Sequence, residues 1–563
     1  METELRPWLV SYPPGVPDTI DPHPFASLPD LIDFSVERYN DKTAFINLFG
    51  SISFRQVQQE AEHFASYLQH VWHLKKGDKI AIMMPNLLQY PIAVFGALKA
   101  GLIVVNVNPL YTPRELQAQL QDSGATTIVV IANFAFNLQK VIAQTQIKHV
   151  IITNVGDVFG FVRGHLVNFF VRFVQKMVPA FFLPGAVSFR EVLHRGAQQH
   201  YVPVMLKPND IAYLQYTGGT TGLAKGAMLS HGNIMANIEQ ALGMFGNIIK
   251  RGEEKALTAL PLYHVFAHTI NLMLFFAIGA TNVLITDPRN FKSFANDLKR
   301  HNDITALTGV NTLFNGLLNK NIFKEIKFPH LRLVIGGGAA VQSGVEERFF
   351  KETGLHILEG YGLTECSPLC CVNPPTAKTF TGSIGIPVPS TQARIVTPDG
   401  KVTWDLNVPG ELEFKGPQVM QGYYNRPKET AHAMEDGFVR TGDIAVWQEG
   451  GYLKIIDRLK DMILVSGFNV FPSEIEDVVS RFERVSECAV VGVPSEKTGE
   501  AIKLYAVKRD PTLTAEELRQ YCRNYLTPYK IPRYIEFVDT LPKSAIGKVL
   551  RRCLREQPAT KQP

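Results

Sequence analysis

The chain has 563 residues, 45% of them hydrophobic and 19% charged, with a formal net charge of +5. That length holds two or more domains of ordinary globular composition, and so mild a charge, with no block of Lys and Arg and no aromatic–basic interleaving, argues against nucleic acid as a partner. Six cysteines without CxxC spacing, three of them clustered at Cys366, Cys370 and Cys371, exclude a disulfide framework and read as reduced, mostly buried thiols of a cytosolic protein.

The polar start, Met1-Glu-Thr-Glu, lacks the apolar stretch of a secretory signal. Residues 1–45 read as a proline-rich lead-in with a helix at Leu28–Tyr39. Ala44–Phe49 is a strand. A helix from Ser53-Phe54 runs through Trp72, and Gly77-Asp78 turns into the strand Lys79–Met84. A helix over Gln89–Ala100 stops at Gly101, the residue type suited to the position past a helix end. Further strands at Leu102–Pro109, Thr126–Ile131 and His149–Thr153 keep alternating with helices, the pattern of an open α/β sheet. Residues 158–183 break that pattern with seven phenylalanines, the cations Arg163, Arg172 and Lys176, and Pro179 as a breaker. Two readings stand: a helix lying in a membrane interface, or one packed on its own domain.

The stretch Tyr216-Thr-Gly-Gly-Thr-Thr-Gly-Leu-Ala-Lys-Gly226 holds four glycines, three threonines and Lys225. It lies between the apolar strand Asp210–Gln215 and a segment from Ala227 that leads into a helix near Ser230 or His231. A strand, glycine loop and helix in that order present backbone N–H groups to phosphate oxygens, with threonine hydroxyls and one mobile cation added. It is not a Walker A motif, because Gly226 follows the lysine. A second α/β run follows, with Leu257–His264, Thr281–Thr286, Ile304–Thr308 and Leu333–Gly336 as strands. The apolar run Thr269–Ile285 carries Asn271 and Asn282 and is short for a bilayer crossing, so it reads as a buried helix and a strand. Beyond Gly385 come short strands and turns, a β-rich portion. The charged cluster Asp457–Asp461 precedes a last α/β portion of roughly 100 residues.

Several residue types carry chemistry. Gly336-Gly-Gly-Ala-Ala340 lets a flat base lie on the backbone, at Gly338 and Ala339. In Glu359-Gly-Tyr-Gly-Leu-Thr-Glu365, Tyr361 offers a stacking ring, Thr364 a phosphate donor, and Glu365 a hard oxygen suited to Mg²⁺. Asp443 suits a ribose diol, with Arg458 within reach of the same sugar; taken alone, either is a surface ion pair. His264 at a strand end is by itself structural or solvent-facing. No G-x-S-x-G occurs, which argues against a serine hydrolase.

The loop at 216–226 resembles the signature YTSGTTGxPKG of the acyl-adenylate-forming superfamily, with Gly218 in place of serine and Ala224 in place of proline. The Glu359–Glu365 stretch falls at that superfamily's second signature. Asp436–Asp443 with Gly451–Arg458 resembles its fatty-acyl-CoA synthetase signature, with Phe438 for the common tryptophan and Leu459 for a basic residue. Leu541-Pro-Lys-Ser-Ala-Ile-Gly-Lys548-Val-Leu-Arg-Arg552 matches PKxxxGKxxR. The resemblance runs from about Phe54 to Arg552 and looks most like bacterial long-chain fatty-acid–CoA ligases of β-oxidation.

The expected architecture is α/β: a large N-terminal domain (1–457) of two α/β subdomains plus a β-rich subdomain, a hinge linker (458–463), and a small mobile α+β C-terminal domain (464–563). The resemblance implies ATP-dependent activation of long-chain fatty acids through acyl-AMP to acyl-CoA, with medium-chain or aryl acids as the alternative. It makes Lys548, His264 and Thr217 catalytic. Nucleotide contacts fall on Thr217, Gly218, Gly219, Thr220, Thr221, Gly222 and Lys225, on Gly338 and Ala339, on Glu359, Gly360, Tyr361, Gly362 and Thr364, and on Asp443 and Arg458. Glu365 holds Mg²⁺, Lys460 is the hinge, Gly467 and Phe468 line the thiol tunnel, and His268 stands where relatives carry an aromatic gate to the acyl tunnel. ATP and coenzyme A are co-substrates. A cytoplasmic location at the inner face of the membrane, with peripheral contact, and a homodimer complete the expectations.

Overall fold

The computed structural model describes residues 5–217, 224–377, 379–466, 468–495, 497–544 and 547–555. Its first large sheet has seven strands in the order Val187–Ser188, His149–Thr153, Thr127–Ile131, Lys79–Met83, Ile103–Asn106, Ile211–Thr217 and Lys225–Ser230. All its pairings are parallel except the last, which is antiparallel. Two of the helices that precede these strands or run between them start where the sequence offers a cap. Ser53 and Gln56 close a capping box ahead of Phe54–His70, and Thr112 and Glu115 do so ahead of Pro113–Ser123, each satisfying amide groups that the helix cannot.

The second sheet has nine strands and runs from Ile386–Pro387 through Leu369–Val372, Leu358–Gly362, Leu333–Gly336, Ala306–Gly309, Lys255–Thr258 and Thr281–Leu284 to Thr43–Asn47 and Gly50–Ser53. Here the structure corrects the expected order. The strand at 44–49 belongs to this sheet, paired parallel with Thr281–Leu284, and not to the N-terminal one. Alternation along the chain shows that a strand exists; its sheet is chosen by packing with residues more than two hundred positions away.

The glycine loop also departs from expectation. Lys225–Ser230 is a strand, paired with Ile211–Thr217 so that Thr217 faces Lys225. The helix begins only at His231, capped by Ser230. Thr217 and Lys225 therefore stand opposite each other on antiparallel strands, and no helix N-terminus directly follows Lys225. The assigned residues Gly218, Gly219, Thr220, Thr221 and Gly222, and Gly467 of the thiol tunnel, lie outside the described residues.

The β-rich portion is a six-stranded sheet containing Gly410–Lys415, Phe438–Trp447 and Leu453–Arg458. The last portion is a five-stranded sheet built on the long pair Val485–Ser495 and Gly499–Lys508. Its buried side chains, from Ile463 and Val465 to Ile535, form cores separate from the one that ends at Leu453. All six cysteines are free thiols and five of them are buried. Among the described residues no helix is long and apolar enough to cross a membrane. Residues 158–183 form a helix at Phe161–Phe169 that widens into a π-helical turn at Phe170–Val174 and ends before Pro179.

Candidate active site

The nine-stranded sheet, the β-rich sheet and the C-terminal portion contribute side chains to one polar group. Asp443 and Arg458 face each other across two antiparallel strands. The Arg458 Nε lies 3.0 Å from Asp443 Oδ1 as an ion pair, and the Tyr361 hydroxyl donates to Asp443 Oδ2 at 2.6 Å. Asp443 is only 5% exposed, so this is a positioned carboxylate with one hydrogen-bond donor and one ion-pair partner, and not a solvated surface pair. Tyr361, expected to stack on a base, has its hydroxyl committed to that carboxylate and its ring against Phe414. The glycine segments approach closely here: a Cβ on Gly337 would stand 3.1 Å from the Gly360 carbonyl, and one on Gly362 would strike the Pro368 carbonyl. Gly338 has φ +74, and Ala339 follows it on the half-exposed rim. Glu359 is buried, and its carboxyl is pushed up to about 8 by that burial, against the backbone N–H of Val341.

Lys548 enters this group from the C-terminal portion. Its ammonium is drawn down to about 8, first by burial and then by the charge of Arg458; Asp443 opposes the shift. The Gly547 carbonyl accepts a hydrogen bond from Thr312 at 3.1 Å. Gly547 has φ +82, and a Cβ there would lie 2.3 Å from the Thr312 hydroxyl. Only glycine fits that turn. His264 is held down to about 4 by burial and by the charge of Lys548, so it is neutral at physiological pH and within electrostatic reach of the amine. Lys460 sits in the turn after Arg458, its ammonium lowered by desolvation and then by Arg458. Three cations, Lys548, Arg458 and Lys460, thus act on one another beside Asp443, an arrangement that favours a polyanion.

Thr217 and Lys225 stand at the mouth of the hairpin. Thr364 and Glu365 form the short turn after Leu358–Gly362. Glu365 accepts a hydrogen bond from Tyr423 at 2.6 Å, and the Lys225 ammonium lies 5.1 Å from the centre of the same Tyr423 ring. His268 is buried between Tyr90 and Tyr213, and its Nδ1–H donates to the Leu262 carbonyl at 3.2 Å. Phe468 is 55% exposed and stacks on Tyr529.

The sequence reading missed the residues that fix these groups. Asn86 donates to the carbonyls of Thr258 and Leu260 and accepts from the Leu262 N–H at 2.8 Å. Gln215 donates to the Tyr263 carbonyl at 2.8 Å and accepts from Asn106. Together they clamp the segment that carries His264. The available signal was a polar amide inside or just after an apolar strand, where burial demands partners.

Comparison with known proteins matches residues 32–424 to the AMP-binding enzyme family and residues 474–548 to the AMP-binding enzyme C-terminal domain. A long-chain-fatty-acid–CoA ligase of Escherichia coli O157:H7 is 53% identical over 550 residues, covering 98% of each chain. The chain belongs to the AMP-binding enzyme family. A long-chain-fatty-acid–CoA ligase of Haemophilus influenzae is 50% identical over 558 residues, covering 99% of each chain. Among solved structures, ATP-bound MatB from Rhodopseudomonas palustris superposes with a TM-score of 0.80 at 26% identity, covering 94% of this chain and 98% of that one. Membership in the AMP-binding enzymes accords with the cation-rich group around Asp443 and with the hairpin that presents Thr217 and Lys225.

Proposed function

We propose that this AMP-binding enzyme activates long-chain fatty acids for degradation. The fatty carboxylate attacks the α-phosphorus of ATP, giving acyl-AMP and pyrophosphate; the thiol of coenzyme A then attacks the acyl carbonyl and AMP leaves. The observation that carries this reading is the Lys548 amine, half-buried at the surface and within electrostatic reach of Arg458, Asp443 and His264. A weak nucleophile must approach a polyanion, so charge stabilisation and in-line placement dominate the barrier. Lys548 and Lys225 supply cations, Thr217 and the loop supply donors, and neutral His264 can donate to the reacting oxygens. Asp443 and Arg458 would hold the ribose.

Among the described residues no group of three or more His, Cys, Asp or Glu could hold a metal by itself. The lone carboxylate of Glu365 beside the Thr364 hydroxyl still fits Mg²⁺, which is bound through one or two carboxylates plus substrate phosphates. When bound, the ion would neutralise phosphate charge.

Thiol attack needs space where Lys548 stands. Rotation of residues 464–563 about Lys460 in the linker 458–463 would provide it and bring Gly467 and Phe468 to a thiol channel. The exposure of Phe468 in the present arrangement supports that role. For His268, tight packing favours a fixed wall of the acyl site over a moving gate.

Long-chain preference rests on the named relatives. The test is thioester formation against fatty acids of graded length and benzoate. Each buried methylene adds about 0.8 kcal/mol, roughly fourfold, so kcat/KM should climb with length. A maximum at medium chains or benzoate would favour the alternative substrate class.

The insert supports contact with a membrane surface from the cytoplasmic side. Phe161, Leu166, Phe173 and Phe182 are 80, 65, 61 and 74% exposed. No acid occurs between Asp157 and Glu191, while Arg163, Arg172 and Lys176 do. Apolar side chains flanked by cations suit an anionic bilayer, where each cation adds about 1 kcal/mol. Flotation with phosphatidylglycerol vesicles, and much less with phosphatidylcholine, is expected; Phe169→Ser/Phe173→Ser should abolish it. Equal flotation of that variant would remove the insert from the account. A homodimer belongs to the same proposal, and sedimentation over a range of concentrations tests it.

A further inference from the structure

The stretch Met420–Arg426, between the β-rich sheet's strands Gly410–Lys415 and Phe438–Trp447, lies along the returning strand of the hairpin. The Met228 N–H donates to the Gly422 carbonyl at 2.9 Å, the Gln421 N–H to the Met228 carbonyl at 3.0 Å, and the Tyr424 N–H to the Gly226 carbonyl at 2.8 Å. Ala227 and Tyr423 pair as a β-bridge. On the other side, the Met420 N–H donates to the Glu365 carbonyl at 2.7 Å. Arg426 pairs with Asp122, and Asp122 also accepts from the Tyr216 hydroxyl at 2.8 Å, just ahead of Thr217. The stretch therefore ties the base of the hairpin to the turn that carries Glu365.

At its centre stands Tyr423, 9% exposed. One face of the ring receives the Lys225 ammonium, and the hydroxyl donates to Glu365 Oε1. Lys225 and Glu365 carry opposite charges and share this neighbour, yet they form no ion pair with each other in the described structure. A direct pair would neutralise both groups that the triphosphate and its metal require.

We propose that Tyr423 is a positioning residue that holds Lys225 and Glu365 apart, each on a weaker partner, and so presets the magnesium–triphosphate site. This rests on the roles proposed above for Lys225 and Glu365. A cation–π contact and one phenolic hydrogen bond are each easier to exchange for a ligand than a close ion pair, and the hydrogen bond fixes the carboxylate rotamer.

The test uses Tyr423→Phe, which keeps the ring and removes the hydroxyl. Mn²⁺ bound to the enzyme–ATP complex is measured by electron paramagnetic resonance, beside the Mg²⁺ dependence of acyl-AMP formation. Tyr423→Phe should weaken Mn²⁺ binding about 10-fold and raise the half-saturating Mg²⁺ to match, with the loss confined to the first half-reaction. Adding Lys225→Gln to Tyr423→Phe should restore part of the Mn²⁺ affinity, because the competing ammonium is gone. Glu365→Gln is the reference. If it leaves Mn²⁺ binding unchanged, the metal role of Glu365 fails and the inference with it. If Glu365→Gln weakens binding but Tyr423→Phe does not, the positioning role is overturned alone. No recovery in the double variant would overturn the claim that the two charges are held apart.

Discussion

At the scale of single residues, the account turns on an amine whose charge is costly to bury. Lys548 loses its proton near pH 8 in the unliganded protein, so the ammonium is present below that value and lost above it. kcat/KM for ATP in acyl-AMP formation reports the free enzyme and should fall as pH rises through about 8. In Lys548→Arg the descending limb should move to higher pH, because a guanidinium does not deprotonate there; a limb that stays in place would assign it to another group. Gly547→Ala should slow the same step by roughly 10-fold, since a left-handed alanine costs about 1–3 kcal/mol and its methyl would strike Thr312. Lys548, Asp443, Arg458 and Glu365 were legible because each sits in a short, ordered pattern. Tyr423 was not. Its partner Glu365 lies 58 positions away, and one of two tyrosines in Gly422-Tyr-Tyr has no local mark of that contact. Asn86 and Gln215 were hidden for the same reason: their partners are backbone groups of a distant turn.

At the scale of elements, capping chemistry read well and the hairpin did not. Ser230 was placed near a helix start, and it caps His231–Phe245 through the Asn233 N–H. Ser230→Ala should cost about 1 kcal/mol in denaturant unfolding, visible as a lower midpoint at unchanged slope; no change would mean the cap is redundant. The segment Lys225–Ser230 is short and apolar, and such a run fits a strand or the lead-in to a helix equally well. Pairing with Ile211–Thr217 decides it, and so does the cover from Met420–Arg426. The phenylalanine insert was legible as an anomaly. Its resolution into an exposed face required coordinates, because composition alone does not tell an outward ring from an inward one.

At the scale of the whole molecule, alternation disclosed two α/β runs, a β-rich portion and a last α/β portion. It did not disclose that Thr43–Asn47 crosses to the second sheet. Nor did it disclose how the last portion docks, which depends on a few polar contacts between distant segments. Thr312 bonds Gly547, Asn315 donates to the Ser486 carbonyl at 2.9 Å, and Arg481 donates to the Ser343 hydroxyl at 3.1 Å. Polar contacts of this kind suit a reversible interface. Removing one, as in Thr312→Val, should slow acyl-AMP formation about fivefold, the value of one hydrogen bond near 1 kcal/mol, and leave thioester formation from acyl-AMP intact. The most direct test of the central claim is to measure both half-reactions of Lys548→Ala separately, oleate with ATP and Mg²⁺ in one and preformed oleoyl-AMP with coenzyme A in the other. The account predicts that the first is lost while the second proceeds near the wild-type rate; equal loss of both would contradict a lysine that serves only the first step from a domain that then moves away.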